Sequence, residues 1–159
     1  MRGCRIKIVA EECEGIYQCM TRSVDGEMLL NDVAKDVLRK QLWQVADCCG
    51  VRVVTYAILT NHFHVLVKVP RKTFIPDDEL LRRFHVLYSS PTRYQMTRLE
   101  VVKAQLEANG PEAVAWRNRQ NALMGDVSQF MKLLKQRFSI WFNKTHDRTN
   151  ESRPHRVTP

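Results

Sequence analysis

Two histidines separated by a single residue are the side chains of this sequence best suited to chemistry. His62 and His64 flank Phe63 at the start of an aliphatic run that ends at Pro70. Alternate residues of a β-strand share one face of the sheet, so both imidazoles are predicted on one face and Phe63 on the other. Neutral imidazoles bind divalent metal ions, and such an ion polarises a phosphodiester. The pattern therefore predicts a metal site, and the alternative is a pair of ordinary half-exposed histidines.

The elements that must position this pair can be predicted from the flanking sequence. A run rich in β-branched and aromatic residues precedes the histidines, and Thr60-Asn61 separates it from the histidine run, which predicts an antiparallel hairpin. Upstream, a strand and a half-buried helix precede this hairpin. The predicted elements are strands 15–23, 51–59 and 62–69, with a helix that Asn31 or Asp32 caps, that continues to about Cys49 and that Gly50 ends. This order is the opening of a ferredoxin-like α+β fold.

The second half of the sequence is predicted to be helical. Apolar residues recur at helical spacing, and Asp77 and Asp126 stand where helices would be capped. The predicted helices cover about 77–88, 97–108, 112–123 and 127–146. We therefore predict one domain over 1–149, with an antiparallel sheet, packed helices and a helical insertion at about 71–124. Residues 150–159 are predicted to be an irregular tail.

Charge and cysteine usage narrow the class of protein. The formal net charge is +8, and the segment 132–159 carries seven Lys or Arg against two acidic residues. This imbalance indicates a polyanionic partner such as nucleic acid, although a solvated helix face with a polar tail would look similar. The five cysteines have no disulfide-framework spacing and are interpreted as reduced thiols. No secretory signal or membrane-spanning run is present, so a cytoplasmic protein without a membrane partner is expected.

Two stretches of the sequence resemble one known family. Leu59–Val67 (Leu-Thr-Asn-His-Phe-His-Val-Leu-Val) resembles the signature of the HUH single-strand DNA transposases, in which a bulky hydrophobe separates two histidines. The closer resemblance is to the branch called REP-associated tyrosine transposases. Phe130–Asn143, together with the basic turn that follows it, resembles the helix that carries the nucleophile in that family. The two stretches with their surroundings cover about half of the chain.

The resemblance implies an enzyme of DNA transposition and recombination, encoded by a mobile element. Such a transposase binds a DNA hairpin and cuts the adjoining single strand, with Mg²⁺ or Mn²⁺ between the histidines polarising the scissile phosphate. A tyrosine on a helix attacks the phosphorus and forms a covalent 5′-phosphotyrosine, which is nucleophilic catalysis. Members of the family act as monomers or homodimers.

The sequence departs from the family at two places. Phe138 occupies the position expected for the tyrosine nucleophile, and phenylalanine has no hydroxyl group. It also falls on the apolar stripe of the predicted last helix, so the alternative is a core residue. Tyr88 and Tyr94 are the candidate substitutes, and Asn143 is a candidate third metal ligand. Residues 150–159 do not match the continuation of the family, in which a Gly and a Trp follow the basic turn, so a truncated or frameshifted chain is expected.

Basic residues near both matching stretches are the candidate DNA contacts. They are Lys132, Lys135, Arg137, Lys144 and Arg148 on or just after the last helix, and Arg71 and Lys72 after the histidine strand. Two rival hypotheses remain. The first is an inactive relic or a domesticated binder of hairpin DNA that has lost the nucleophile. The second is a ferredoxin-like RNA-binding or metal-phosphoesterase domain with an accidental histidine pair.

Overall fold

A computed structural model describes residues 13–23, 30–87 and 93–146, without the side chains of 93–95 and 97. Within these residues the chain forms three strands and five helices. In chain order they are β1 (Gly15–Arg22), α1 (Asp32–Cys49), β2 (Arg52–Ile58), β3 (His62–Val69), α2 (Asp77–Val86), α3 (Arg93–Ala108), α4 (Pro111–Asn121) and α5 (Val127–Thr145). The predicted α+β class, with an antiparallel sheet and packed helices, is confirmed.

The histidine strand β3 lies at the centre of the sheet. The strand order is β1-β3-β2, and both neighbours are antiparallel to β3. Ile58 pairs with Phe63, which confirms the predicted hairpin, and the register of β2 shifts between Val53 and Thr55. The order of elements and strands is that of the first four elements of a ferredoxin-like β-α-β-β-α-β unit.

Helix α1 begins and ends at the residues that the sequence indicates. The Asn31 side-chain oxygen accepts a hydrogen bond from the Ala34 N–H at 2.9 Å, which satisfies one of the donors left open by the first turn. Gly50 ends the helix with φ of 63°, a conformation that side chains with a Cβ rarely adopt.

One face of the sheet carries the main hydrophobic core. Every second residue of β3, from Phe63 to Val69, is buried and belongs to this core. Helix α1 contributes residues such as Leu38, and helix α5 contributes Phe130 and Leu134, both with no exposed surface. Both helices therefore pack on the same face. The opposite face, which includes His62 and His64, is turned away from the core and is called the open face below.

The segment predicted as an insertion forms helices α2, α3 and α4 around a second hydrophobic cluster. Its buried members are Leu80, Phe84, Val102, Leu106, Ala113, Trp116 and Met124. Arg82 of α2 bonds both carboxylate oxygens of Asp47 in α1, at 3.1 and 2.8 Å, which ties this cluster to the main part of the chain.

Two details of the helix predictions were wrong. Helix α2 begins at Asp77 with Pro76 in the capping position and has no side-chain cap. The Asp77 carboxylate instead accepts hydrogen bonds from Arg117 of α4, the shortest at 2.6 Å, and these bonds lower the pKa of Asp77. Helix α3 begins at Arg93, before the predicted start at Thr97.

Glu79 provides a prediction about acid stability. Its carboxylate accepts hydrogen bonds from Arg82 and Arg83, each with an Nε distance of 2.7 Å, and these bonds lower its pKa to about 2. A carboxyl group with a depressed folded-state pKa stabilises the fold above its unfolded pKa of about 4.3 and loses that contribution as the pH falls towards 2. Glu79→Gln should lower the free energy of unfolding at pH 7, because it removes this contribution. The expected loss is only about 1 kcal/mol, since the site is partly exposed and solvent screens the charges.

Urea unfolding of both proteins at several pH values measures this effect. The difference should shrink below about pH 4 and vanish near pH 2. Asp36→Asn is the matched control, since Asp36 lies in an exposed pair with Arg39 at 3.3 Å. A difference between Glu79→Gln and the native protein that stays constant down to pH 2 would contradict the assignment.

Candidate functional site

His62 and His64 lie side by side on the open face of the sheet. Their ring centres are 5.2 Å apart, and the ring planes are inclined at 80°. Both residues are half-buried, whereas Phe63 between them is buried in the main core. The alternation predicted for a strand is therefore what brings the two imidazoles together.

The spacing of the two rings fits a shared metal ion. An imidazole nitrogen binds a divalent ion at about 2.0–2.1 Å, which places the ring centre about 3.2 Å from the ion. Two such ligands at a near-tetrahedral angle have ring centres about 5 Å apart, close to the observed 5.2 Å. Imidazole nitrogens bind transition-metal ions, among which Mn²⁺ binds most weakly, whereas Mg²⁺ prefers oxygen ligands.

Asn61 orients the first of the two histidines. The Nδ1 atom of His62 lies 2.6 Å from the side-chain oxygen of Asn61, which only accepts hydrogen bonds. In the tautomer of His62 that makes this hydrogen bond, Nδ1 carries the proton and Nε2 is available as a ligand. The backbone oxygen of Asn61 accepts hydrogen bonds from Ser23, from the N–H at 2.8 Å and from the hydroxyl at 2.9 Å. These bonds hold the turn that positions the pair.

Strand β1 adds a cation beside the pair. Arg22 is directly opposite His62, and Met20 is opposite His64, so all four side chains share the open face. Arg22 is exposed at this end of the sheet. Sequence reasoning missed this residue, because its position depends on the pairing of β1 with β3. Among the described residues, no third His, Cys, Asp or Glu completes a cluster with the two histidines.

Phe138 lies on the other side of the sheet. It packs against the main core, with its ring centre 5.6 Å from that of Trp141 and 6.0 Å from that of Phe142. Because this core occupies the face opposite the histidines, the structure does not bring residue 138 together with His62 and His64.

The two tyrosines on the described strands also lie on the face of the sheet that carries the helices. Tyr17 pairs with Val67 and Tyr56 with Val65, and both valines are core residues. Of the two candidate substitutes, Tyr88 and the side chain of Tyr94 lie outside the described residues. Among the described side chains, no tyrosine therefore shares the face of the histidine pair.

The candidate third ligand Asn143 is exposed in the last part of α5. Helix α5 packs through Phe130, Met131 and Leu134 on the face of the sheet that carries the core. The structure therefore places Asn143 on a helix of the opposite side and does not group it with the histidine pair.

The predicted basic residues of α5 differ in their environment. Lys132, Lys135 and Lys144 are exposed, and α5 contains no acidic residue, so the exposed part of this helix carries net positive charge. Arg137 is half-buried, and its Nη2 donates a hydrogen bond to the backbone oxygen of Leu87 at 2.9 Å, which is a structural role. Arg148 lies outside the described residues.

Arg71 and Lys72 occupy a second location. Both are exposed in the loop that follows β3, and they line a cleft of about 650 Å³. Phe74 lines the same cleft with 91% of its surface exposed. The structure therefore separates the predicted DNA contacts into an α5 surface and a cleft at the far end of β3.

Comparisons with known proteins do not establish a family. No family model matches the chain, and no solved structure matches it. A segment of 107 residues is 27% identical to the human transformation/transcription domain-associated protein. That match covers 62% of this chain and only 3% of the length of the human protein. Among the described residues, none of the helices has the length and apolar character that crossing a bilayer requires.

Proposed function

We propose that this protein binds hairpin or single-stranded DNA through an HUH-type site, in which His62 and His64 hold a divalent metal ion against a DNA phosphate. The observation that carries the proposal is the geometry of the pair, with ring centres 5.2 Å apart on the open face of the central strand. The protein acts in the cytoplasm in this proposal, in keeping with the buried free thiols of Cys48 and Cys49.

The residues around the pair fit a phosphate ligand. A metal ion held there would polarise the phosphodiester and neutralise part of its charge. Asn61 offers Nδ1 of His62 a hydrogen-bond partner, and Arg22 supplies a second positive charge opposite that histidine. With two protein ligands, the remaining coordination positions are left for oxygen atoms of the nucleic acid and for water.

Cleavage and rejoining of the strand need a further group. In the family mechanism a tyrosine hydroxyl loses its proton, its oxygen forms a bond to phosphorus, and the bond from phosphorus to the 3′ oxygen breaks. The position of Phe138 on the far face favours a second candidate function, a hairpin-DNA binder that does not cut. The open face carries no Phe, Tyr or Trp on its described strands, so RNA binding by stacking on the sheet is not favoured.

Binding to labelled nucleic acids tests the proposal. A DNA hairpin with a single-stranded extension, the blunt duplex of the same stem and the matching RNA hairpin are compared with Mn²⁺, with Mg²⁺ and with EDTA. We expect the extended DNA hairpin to bind most tightly, and Mn²⁺ to act at lower concentration than Mg²⁺. Equal affinity for all three nucleic acids, without any effect of metal, would overturn the proposal.

Phe138→Tyr is expected to give no covalent protein–DNA product. A hydroxyl at this position lies on the core side of the sheet and cannot approach a phosphate held at His62 and His64. Denaturing gels of the native protein and the variant, each incubated with the labelled hairpin and Mn²⁺, measure the product. A metal-dependent covalent band with the variant alone would show that α5 reaches the histidine face, and would restore the assignment of residue 138 as the nucleophile position.

A further inference from the structure

The cleft at the far end of β3 is separate from the histidine pair. The strand extends from His62 to Val69, which at about 3.3 Å per residue places the cleft roughly 23 Å from His62 along the sheet. It lies between the loop 70–76 and the turn between α4 and α5, and Asn121, Met124 and Gly125 contribute to its lining. Its volume of about 650 Å³ is in the range of small-molecule sites.

Phe74 is the most unusual residue of this cleft. It is 91% exposed, the highest value among the exposed large hydrophobic residues of the described chain. The loop that carries it is anchored at both ends, since Val69 belongs to the main core and Ile75 packs against the second cluster. Pro70 and Pro76 further restrict the backbone on either side. The ring therefore projects into solvent from a loop that is anchored at both ends.

The charge of the cleft favours an anion beside that ring. Glu14 is paired with Lys68 at 2.5 Å, and Arg83 is paired with Glu79 at 2.7 Å, so these charges are largely balanced. Lys72 adds an exposed cation next to Phe74, whereas Arg71, which is exposed in the same loop, already has an interaction of its own. An aromatic face with adjacent cations is the combination that binds unpaired nucleotides, through stacking and phosphate contacts.

We propose that this cleft binds one unpaired nucleotide of a DNA single strand, with the base stacked on Phe74 and the phosphate beside Lys72. The inference rests on the proposed function, because it assumes that the chain engages single-stranded DNA. The cleft then acts as a second anchor, at the opposite end of the strand that carries the histidines.

Fluorescence anisotropy with labelled (dT)10 in EDTA tests the cleft without the metal site. Phe74→Ala and Phe74→Leu should weaken binding about fivefold or more, since one base stack is worth roughly 1–3 kcal/mol. Phe74→Tyr should retain native affinity because it keeps the aromatic face. Trp43→Leu, which removes a ring that is 48% exposed on α1, is the matched control and should bind as the native protein does.

An abasic oligonucleotide of the same length separates base stacking from charge. We expect the native protein to bind it as weakly as Phe74→Leu binds (dT)10. Native affinity of Phe74→Leu for (dT)10, or equal binding of the abasic strand by the native protein, would overturn the assignment of the cleft while leaving metal-dependent hairpin binding intact. Failure of the native protein to bind either (dT)10 or the hairpin would instead overturn the proposed function and the cleft with it.

Discussion

Replacing both His62 and His64 with Ala is expected to abolish the effect of Mn²⁺ on hairpin binding. The two imidazoles are the only His, Cys, Asp or Glu ligands that the described residues place at this site, so removing both leaves no protein ligand set. Loss of a supporting outer contact typically costs 10–100-fold in metal affinity, and loss of the ligands themselves costs at least as much. The affinity of the native protein for the hairpin should rise about tenfold or more with Mn²⁺, and that of the variant should not change.

The metal-free affinity of the same variant should remain close to native. Lys132, Lys135 and Lys144 are exposed cations of α5 and are untouched by the change. Phosphate contacts by such residues depend on salt rather than on the divalent ion. The histidine variant should therefore show the native dependence of binding on NaCl in EDTA.

His85→Ala is the matched control for the loss of an imidazole. His85 is exposed on α2 and belongs to the insertion rather than to the sheet. The His85→Ala variant should keep the full increase in hairpin affinity with Mn²⁺. Titration of Mn²⁺ into the protein without DNA, with the heat of binding measured by calorimetry, provides an independent readout. A double histidine variant that still binds Mn²⁺ and DNA as the native protein does would refute the metal site.

Local patterns were sufficient to predict most of the elements. The caps of α1 at Asn31 and Gly50 and the alternation of β3 are fixed by neighbouring residues, so the sequence reports them directly. Asp77 misled the prediction because a capping residue and an interhelical ion-pair partner have the same side chain. Its bond to Arg117 forms only once α2 and α4 pack together.

The residues of the candidate site also differ in whether local sequence patterns predict their positions. The shared face of His62 and His64 follows from their spacing, whereas the position of Arg22 depends on the register between β1 and β3. Helical periodicity correctly indicated that Phe138 belongs to an apolar stripe, but periodicity alone does not say which face of the sheet a helix covers. The assignment of that position to the nucleophile came from resemblance, and the packing of α5 does not place it near the histidines.

The sequence indicated Arg71 and Lys72 as candidate DNA contacts, but neither Phe74 nor the cleft that these residues line. Its lining comes from residues as far apart in the chain as Glu14 and Gly125, which meet only in the folded protein. A single phenylalanine between two prolines is also compatible with a buried anchor, and only the exposure of the ring distinguishes the two. Surfaces built from distant segments are therefore the part of this molecule that sequence reasoning could not supply.

Phe130→Ala is expected to cause the largest loss of stability among single changes in the main core. Phe130 has no exposed surface and is the largest fully buried side chain of the described residues, within the cluster that joins α1, α5 and β3. Truncation of a buried phenylalanine leaves a cavity and typically costs about 3–5 kcal/mol, a large part of the stability of a domain of this size. Urea unfolding followed by circular dichroism measures the loss.

Trp116→Ala tests whether the response of hairpin binding to Mn²⁺ depends on the second hydrophobic cluster or on the main core. Trp116 is 4% exposed and packs edge-on against Phe84 at 5.9 Å, within the second hydrophobic cluster rather than beneath the histidine strand. Its loss should also cost about 3–5 kcal/mol locally, but the response of hairpin binding to Mn²⁺ should survive, because β3 rests on the main core. Phe130→Ala should lose that response as β3 loses its support. The opposite pattern, with Trp116→Ala abolishing the Mn²⁺ response and Phe130→Ala preserving it, would mean that the insertion and not the sheet holds the functional site.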